Sequence, residues 1–243
     1  GHLYVVPFES NNKTQLSGGR KESIDDNLIT FDAWEHSITH NNVLSIGHVV
    51  DIIKHPKVPD RDLFVFDTTT DTLVETVESL GTLLYGVTVD SAGTVFITQT
   101  DAQNHLNCRA GTQQHSLKEL DNRAFLNQIT RVRFNAHGSV DTIHRIDLEP
   151  LPPIHPDPDA AVATPFAVQV SDDGTTLVIS SAGSDKILTI NAKSGEVLGS
   201  VDVDAVPRGI VLDHHHGTLQ SAWVFNAVAN SVSLIDLTDP RTP

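Results

Sequence analysis

A short strand running into a polar turn recurs along this chain. Thr164-Pro165-Phe166-Ala167-Val168-Gln169-Val170-Ser171-Asp172-Asp173-Gly174 is matched by Val206-Pro207-Arg208-Gly209-Ile210-Val211-Leu212-Asp213, and Pro207 stands about 42 residues after Pro165. A third copy is Leu84-Tyr85-Gly86-Val87-Thr88-Val89-Asp90-Ser91-Ala92-Gly93; its greater distance from the second copy requires an insertion between them. Each copy is followed by a second strand, at Thr94 to Thr98, Leu177 to Ser181 and Ala222 to Asn226, and Leu3 to Phe8 reads as that element in an earlier copy. A third strand ends in an acid or amide at Asp67, Asn135, Asn191 and Asp236. After a small polar turn a fourth strand follows, at Leu73 to Val77, Val140 to Ile146 and Val197 to Val203.

Four short strands in a unit of about 40–45 residues is the period of a β-propeller blade. A lone four-stranded sheet with apolar residues on both faces cannot bury them, whereas blade stacked on blade can. Long patterns of period 3.6 are absent, β-branched residues crowd the strands, and only Leu117 to Phe125 reads as a short helix. The competing architecture is a β-sandwich, which also alternates short strands but does not require a Pro-x-x-Val pattern at a fixed period. The expected fold is therefore an all-β propeller of four-stranded antiparallel blades. About four blades are expected, in one partial domain over 1–243 with units of roughly 1–67, 68–135, 136–191 and 192–236.

Composition narrows the function. The 243 residues carry 31 acidic and 16 basic side chains, a formal net charge of −15. That balance opposes nucleic-acid phosphates and anionic membrane surfaces, which need clustered Lys and Arg. No apolar stretch is long enough to span a bilayer. The 39% hydrophobic content suffices for a core. There is no Met, and Gly1 to Val6 already reads as a strand, so the expectation is a chain truncated at both ends. The single cysteine, Cys108, leaves no Cys-pair metal site and no Cys-x-x-Cys-His for haem attachment within these residues.

The segment Asp172-Asp173-Gly174-Thr175-Thr176-Leu177-Val178-Ile179-Ser180-Ser181-Ala182-Gly183-Ser184-Asp185 resembles the YVTN-type propeller repeat, roughly PDG-x-x-LYVTN-x-x-S-x. Trp223 to Asp236 is a second good copy, and Asp62 to Ala102 is similar to the propeller portion of large exported bacterial proteins. Some of those proteins also carry a cytochrome c-like haem domain. The resemblance covers most of residues 60–240 and departs at Asp101 to Phe125. It implies a seven-bladed ring with blades missing from this stretch, a periplasmic or secreted location, and haem, if any, in flanking sequence. A ring left open would expose blade faces and make the isolated stretch aggregation-prone. No catalytic residue is carried over.

The candidate chemistry is sparse. His214-His215-His216 aligns with the hairpin after the first strand, where adjacent imidazoles diverge, so exposed turn residues are expected in place of a metal site. His36 and His40 have helix-pair spacing without the Glu of a His-Glu-x-x-His motif, and His48, His55, His137, His144 and His155 are scattered. Cys108 has His105 nearby in sequence only. Asp25-Asp26 and Asp172-Asp173 read as turns, Asp157-Pro158-Asp159 as part of a rigid loop, and Gly18-Gly19 lacks the rest of a phosphate loop. Asn12-Lys13-Thr14 is a glycosylation sequon of consequence only in a glycosylating host. No catalytic, cofactor-binding or metal residue is assigned.

Propellers bind where loops of successive blades converge at the mouth of the channel, which singles out the equivalent positions Tyr85, Phe166 and Arg208. Two aromatics and a guanidinium suit a planar or anionic ligand; the competing account has them plug the channel or pair with carboxylates. Three functions compete. The first is a non-enzymatic scaffold binding a protein or small molecule at the mouth. The second is the propeller part of a haem-containing redox or electron-transfer protein. The third, a lactonase-type hydrolase with a channel metal, ranks last, because Tyr85, Phe166 and Arg208 are poor metal ligands.

Overall fold

The computed structural model describes residues 1–8, 15–18, 29–32, 50–54, 61–102, 123 and 125–243. Four of its antiparallel sheets follow the repeat. The first orders β1 (His2–Val5), β5 (Arg61–Asp67) and β6 (Thr72–Glu78) side by side. The second holds β7 (Leu83–Val89), β8 (Val95–Ala102), β9 (Phe125–Phe134) and β10 (Val140–Asp147). The third holds β11 (Pro165–Val170), β12 (Thr176–Ser181), β13 (Lys186–Asn191) and β14 (Val197–Asp202). The fourth holds β15 (Pro207–His215), β16 (Thr218–Asn226) and β17 (Ser231–Asp236). A separate antiparallel sheet, in the order β2 (Gln15–Gly18), β4 (Val50–Lys54), β3 (Ile29–Asp32), lies in the connection from β1 to β5.

Within each repeat, strands pair with their sequence neighbours, as short hairpin connections dictate. The hydrogen-bonded sheets close at Glu78, Asp147 and Asp202 because the fourth strand belongs with the three before it; boundaries drawn at 67, 135 and 191 fall between third and fourth strands. The only helical turn among the described residues is a single 3-10 turn at Pro158–Ala160. Of the expected helix at 117–125, residues 117–122 and 124 lie outside the described residues, and Phe125 opens β9.

Side-chain alternation explains the stacking. Successive residues of a strand point to opposite faces, so a strand covered on both sides reads as a continuous apolar run. β12 is buried along its whole length: Ile179 packs towards the second sheet with Phe96 and Ile129, while Val178 packs towards the fourth with Ile210, Ala222 and Val224. A third cluster joins Leu63, Val65 and Val77 of the first sheet to Val95, Ile97 and Val132 of the second. Each sheet thus buries a face against the next, and β11 lies against both β7 and β15. First strands adjoin while sheets stack in series, which is the propeller arrangement and not the two layers of a sandwich. Among the described residues no helix is long and apolar enough to cross a membrane.

Candidate functional site

The first strand of each sheet enters from the same end. Pro165 and Pro207 are preceded by left-handed residues, Thr164 at φ 55° and Val206 at φ 61°. Positive φ is unfavourable for both side chains, most of all for β-branched Val206, and it is held by hydrogen bonds on either side. The Val206 N–H donates to Asp185 Oδ1 at 2.8 Å, and the Thr164 carbonyl accepts from Ala182 N–H at 2.9 Å.

Just inside this entrance the structure brings Tyr85, Phe166 and Arg208 together. The Tyr85 and Phe166 rings lie 5.9 Å apart at an interplanar angle of 37°, and Arg208 Cζ sits 4.8 Å from the Phe166 centroid. Phe8 extends the row on the other side, 5.6 Å from Tyr85 at 57°, and its carbonyl accepts from Leu84 N–H at 3.0 Å. The four side chains follow four successive sheets. Phe8 and Arg208 are exposed, while Tyr85 and Phe166 are half-buried. Among the described residues Arg208 has no ion-pair partner; its contact is the face of Phe166.

Tyr85 is held from below. Its hydroxyl donates to Thr100 Oγ1 at 3.2 Å, and Thr100 donates to Asn127 Oδ1 at 2.9 Å. The Asn127 amide donates to the Val162 carbonyl at 2.7 Å and reaches Glu149 Oε2 at 3.5 Å. Glu149 in turn is paired with Arg123 at 3.0 Å, both side chains almost wholly covered, and accepts from Val162 N–H at 2.9 Å. The ring orientation of Tyr85 therefore rests on β8, β9 and the connection before β11. Sequence alignment found the three equivalent positions but missed Phe8, which belongs to the segment after β1 and reaches the row only through its approach to Leu84.

The histidine run lies at the opposite end of the sheets, where first strands turn into second strands. His216 at φ 50° and Gly217 at φ 77° form the two-residue turn. His215 and His216 are exposed, their ring centroids 4.2 Å apart. His214 departs from the expected exposure. Its side chain is only 13% exposed, and it leans on the corresponding turn of the third sheet, where Nε2 accepts from Asp172 N–H at 3.2 Å. Nδ1 lies 3.7 Å from Asp172 Oδ2. Alternation along β15 turns this ring towards the neighbouring sheet, a contact invisible in the local turn pattern. No group of three metal-ligating side chains occurs among the described residues. His137, His144 and His155 are exposed and dispersed. Cys108, His105, His36, His40, His48, His55, Asp25, Asp26 and the sequon at Asn12 lie outside the described residues; Gly18 closes β2.

Serially stacked sheets with adjoining first strands and a side-chain row at one end of the stack define this chain as a β-propeller. It is similar in structure to hydrazine synthase from Kuenenia stuttgartiensis, with a TM-score of 0.55 and 15% identity over 72% of this chain and 52% of that one. A functionally unknown protein from Desulfotomaculum acetoxidans DSM 771 aligns with a TM-score of 0.42 and 13% identity, over 72% of this chain and 47% of that one. The chain spans about half the length of these solved structures. At such identity the likeness to hydrazine synthase shows the fold alone. No family model and no curated protein sequence matches the chain.

Proposed function

We propose that this chain is a non-catalytic propeller module of a larger exported protein and that it binds a partner at the mouth formed by Phe8, Tyr85, Phe166 and Arg208. The observation that supports this reading is the continuity of the row: four successive sheets each contribute one side chain, ending in an exposed guanidinium without a carboxylate partner among the described residues. Stacked aromatic faces capped by a cation favour a planar ring bearing negative charge. In a chain of net charge −15, an accessible guanidinium at a converging position is a local reversal of sign that would orient such a ligand.

The probe is 2-naphthoate, a planar aromatic anion, titrated calorimetrically. Arg208→Ala is expected to weaken its binding about tenfold, because a desolvated cation near a ring is worth about 1–2 kcal/mol. Its Tm should stay within about 2 °C of the parent, as for a surface substitution. A Tm lowered by many degrees with naphthoate binding intact would make Arg208 structural and remove the site.

The second reading is the propeller part of a haem-containing redox or electron-transfer protein. It is favoured by one observation, that a solved structure sharing this fold is an enzyme named hydrazine synthase. With Cys108 the only cysteine here, c-type haem would need Cys-x-x-Cys-His elsewhere in the polypeptide. Sequencing the full reading frame separates the two readings: that motif favours the second, and its absence favours the first.

A further inference from the structure

The fourth sheet is covered on one face. Ile210, Ala222, Val224 and Ile235 enter the cluster shared with the third sheet. On the opposite face Val211, Trp223 and Leu234 stand directly across from one another, and Phe225 faces Val232. All five are exposed, from 47% for Phe225 to 66% for Val211.

The repeat itself says what covers this face. In the third sheet the corresponding cross-strand pairs are Val178 with Thr189 and Ser180 with Ile187, and all four are fully buried, with Val178 and Ile187 packed against the fourth sheet. In the second sheet Phe96 and Ile129 of the same face are covered by the third. Every internal example of this face is closed by the opposite face of a following blade. The first sheet exposes that opposite face. There Leu3, Phe66 and Leu73 form one cross-strand row and Val5 pairs with Phe64, while the other side of the sheet packs on the second. Leu3, Val5 and Leu73 are exposed.

We propose that these two faces form one heterologous contact, in which the fourth sheet of one copy docks head to tail on the first sheet of a second copy of this chain. Both complementary surfaces are on the same polypeptide, and the contact would repeat the arrangement already made three times inside it. Neither cross-strand row carries a charge, so docking strands no ion in an apolar interface. Pairing two fourth sheets would instead join like faces, an arrangement none of the internal interfaces uses. A head-to-tail contact closes into a ring or propagates according to its rotation. The inference does not depend on any ligand at the mouth.

Complementation tests it. Val211→Glu/Leu234→Glu blocks only the fourth-sheet face, and Leu3→Glu/Leu73→Glu only the first-sheet face. Sedimentation velocity over a range of concentration should show the parent associating and each double variant monomeric with unchanged circular dichroism. An equimolar mixture should form a dimer of one copy of each, because one intact face of each kind remains. In a Trp34→Phe background, Trp223 emission should shift to the blue on mixing. Should a double variant fail to fold, Val232→Lys and Val5→Lys provide the same complementation at single positions. A monomeric parent with water-exposed Trp223 overturns the proposal and leaves the face to a blade of another polypeptide. A monomer with shielded Trp223 assigns the cover to this chain's own segments. Persistent dimers of Leu3→Glu/Leu73→Glu would show like-face pairing and also overturn it.

Discussion

Thr98 and Ser180 occupy the same position in successive sheets, and each hydroxyl meets a backbone N–H that the strand ladder has left behind. The register of the first strand slips between Leu84 and Val87 and again between Pro165 and Val168. Gly86 N–H then donates to Thr98 Oγ1, and Ala167 N–H to Ser180 Oγ, each at 2.9 Å. Thr98 also donates to the Phe166 carbonyl at 3.2 Å, joining the second sheet to the third. This gives a physical task to the hydroxyl of the YVTN-like pattern: it satisfies the bulge that carries the mouth residue. Beside it, Gly86 lets two first strands approach, since a Cβ there would lie 2.6 Å from the Phe166 carbonyl oxygen. Thr98→Val keeps the shape but leaves a covered N–H unpaired, which costs about 1–3 kcal/mol. Urea unfolding should show that loss, and Thr98→Ser should recover most of it. Equal midpoints for Thr98→Val and the parent would mean that the bulge finds another partner.

Third strands end in the same device at all four repeats. Asp67 accepts from the N–H groups of Thr69 and Thr70, Asn135 from His137 and Ser139, Asn191 from Lys193 and Ser194, and Asp236 from the N–H and hydroxyl of Thr238. A short polar side chain bonding its own backbone two or three residues on is the local chemistry of such turns. That chemistry is legible in sequence because both partners lie within one turn. The charged versions add a pH dependence. Backbone N–H groups hold the Asp67 carboxyl below its usual range, and the Thr238 N–H and hydroxyl do the same for Asp236. Asp173 is lowered too, first by the Ser171 hydroxyl. A folded pKa below the unfolded one means that the stabilisation is complete above about pH 4 and is lost as pH falls through the folded value. Melts across pH should be level from neutral to about pH 5 and fall below about pH 4. Asp67→Asn/Asp236→Asn should lessen the acid loss, because Asn135 and Asn191 already do this work uncharged. An unaltered acid limb would place the titration in other groups.

For the molecule as a whole, the order of the sheets was readable from the recurring first strand, and the double-sided burial from runs such as Leu177-Val178-Ile179. The row at the mouth was readable only where repeat alignment carries it. Phe8 and the lean of His214 on Asp172 arise between sheets, where local patterns hold no signal. The closing of each repeat was hidden for the same reason, because residues beyond β17 fold back over the third sheet. Thr189 Oγ1 donates to the Pro240 carbonyl at 2.5 Å, and Arg241 reaches Glu196 at 3.3 Å. Gly199 leaves room for this run: a Cβ there would lie 2.8 Å from Pro243 Cδ and 2.9 Å from the Arg241 carbonyl oxygen. Removing residues 239–243 should therefore speed amide exchange in β13 and β14 while leaving β16 nearly unchanged. Faster exchange confined to the fourth sheet would contradict this.

That fold-back makes the sheet the wrong unit to transplant. A repeat excised from Pro165 to Asp202 loses the five residues that overlie its outer strands, although they are encoded one whole repeat later. The modular piece is instead a sheet together with the exit of its successor. Genetic duplication, shuffling or trimming of this array would conserve the join only if its cuts respected that overlap.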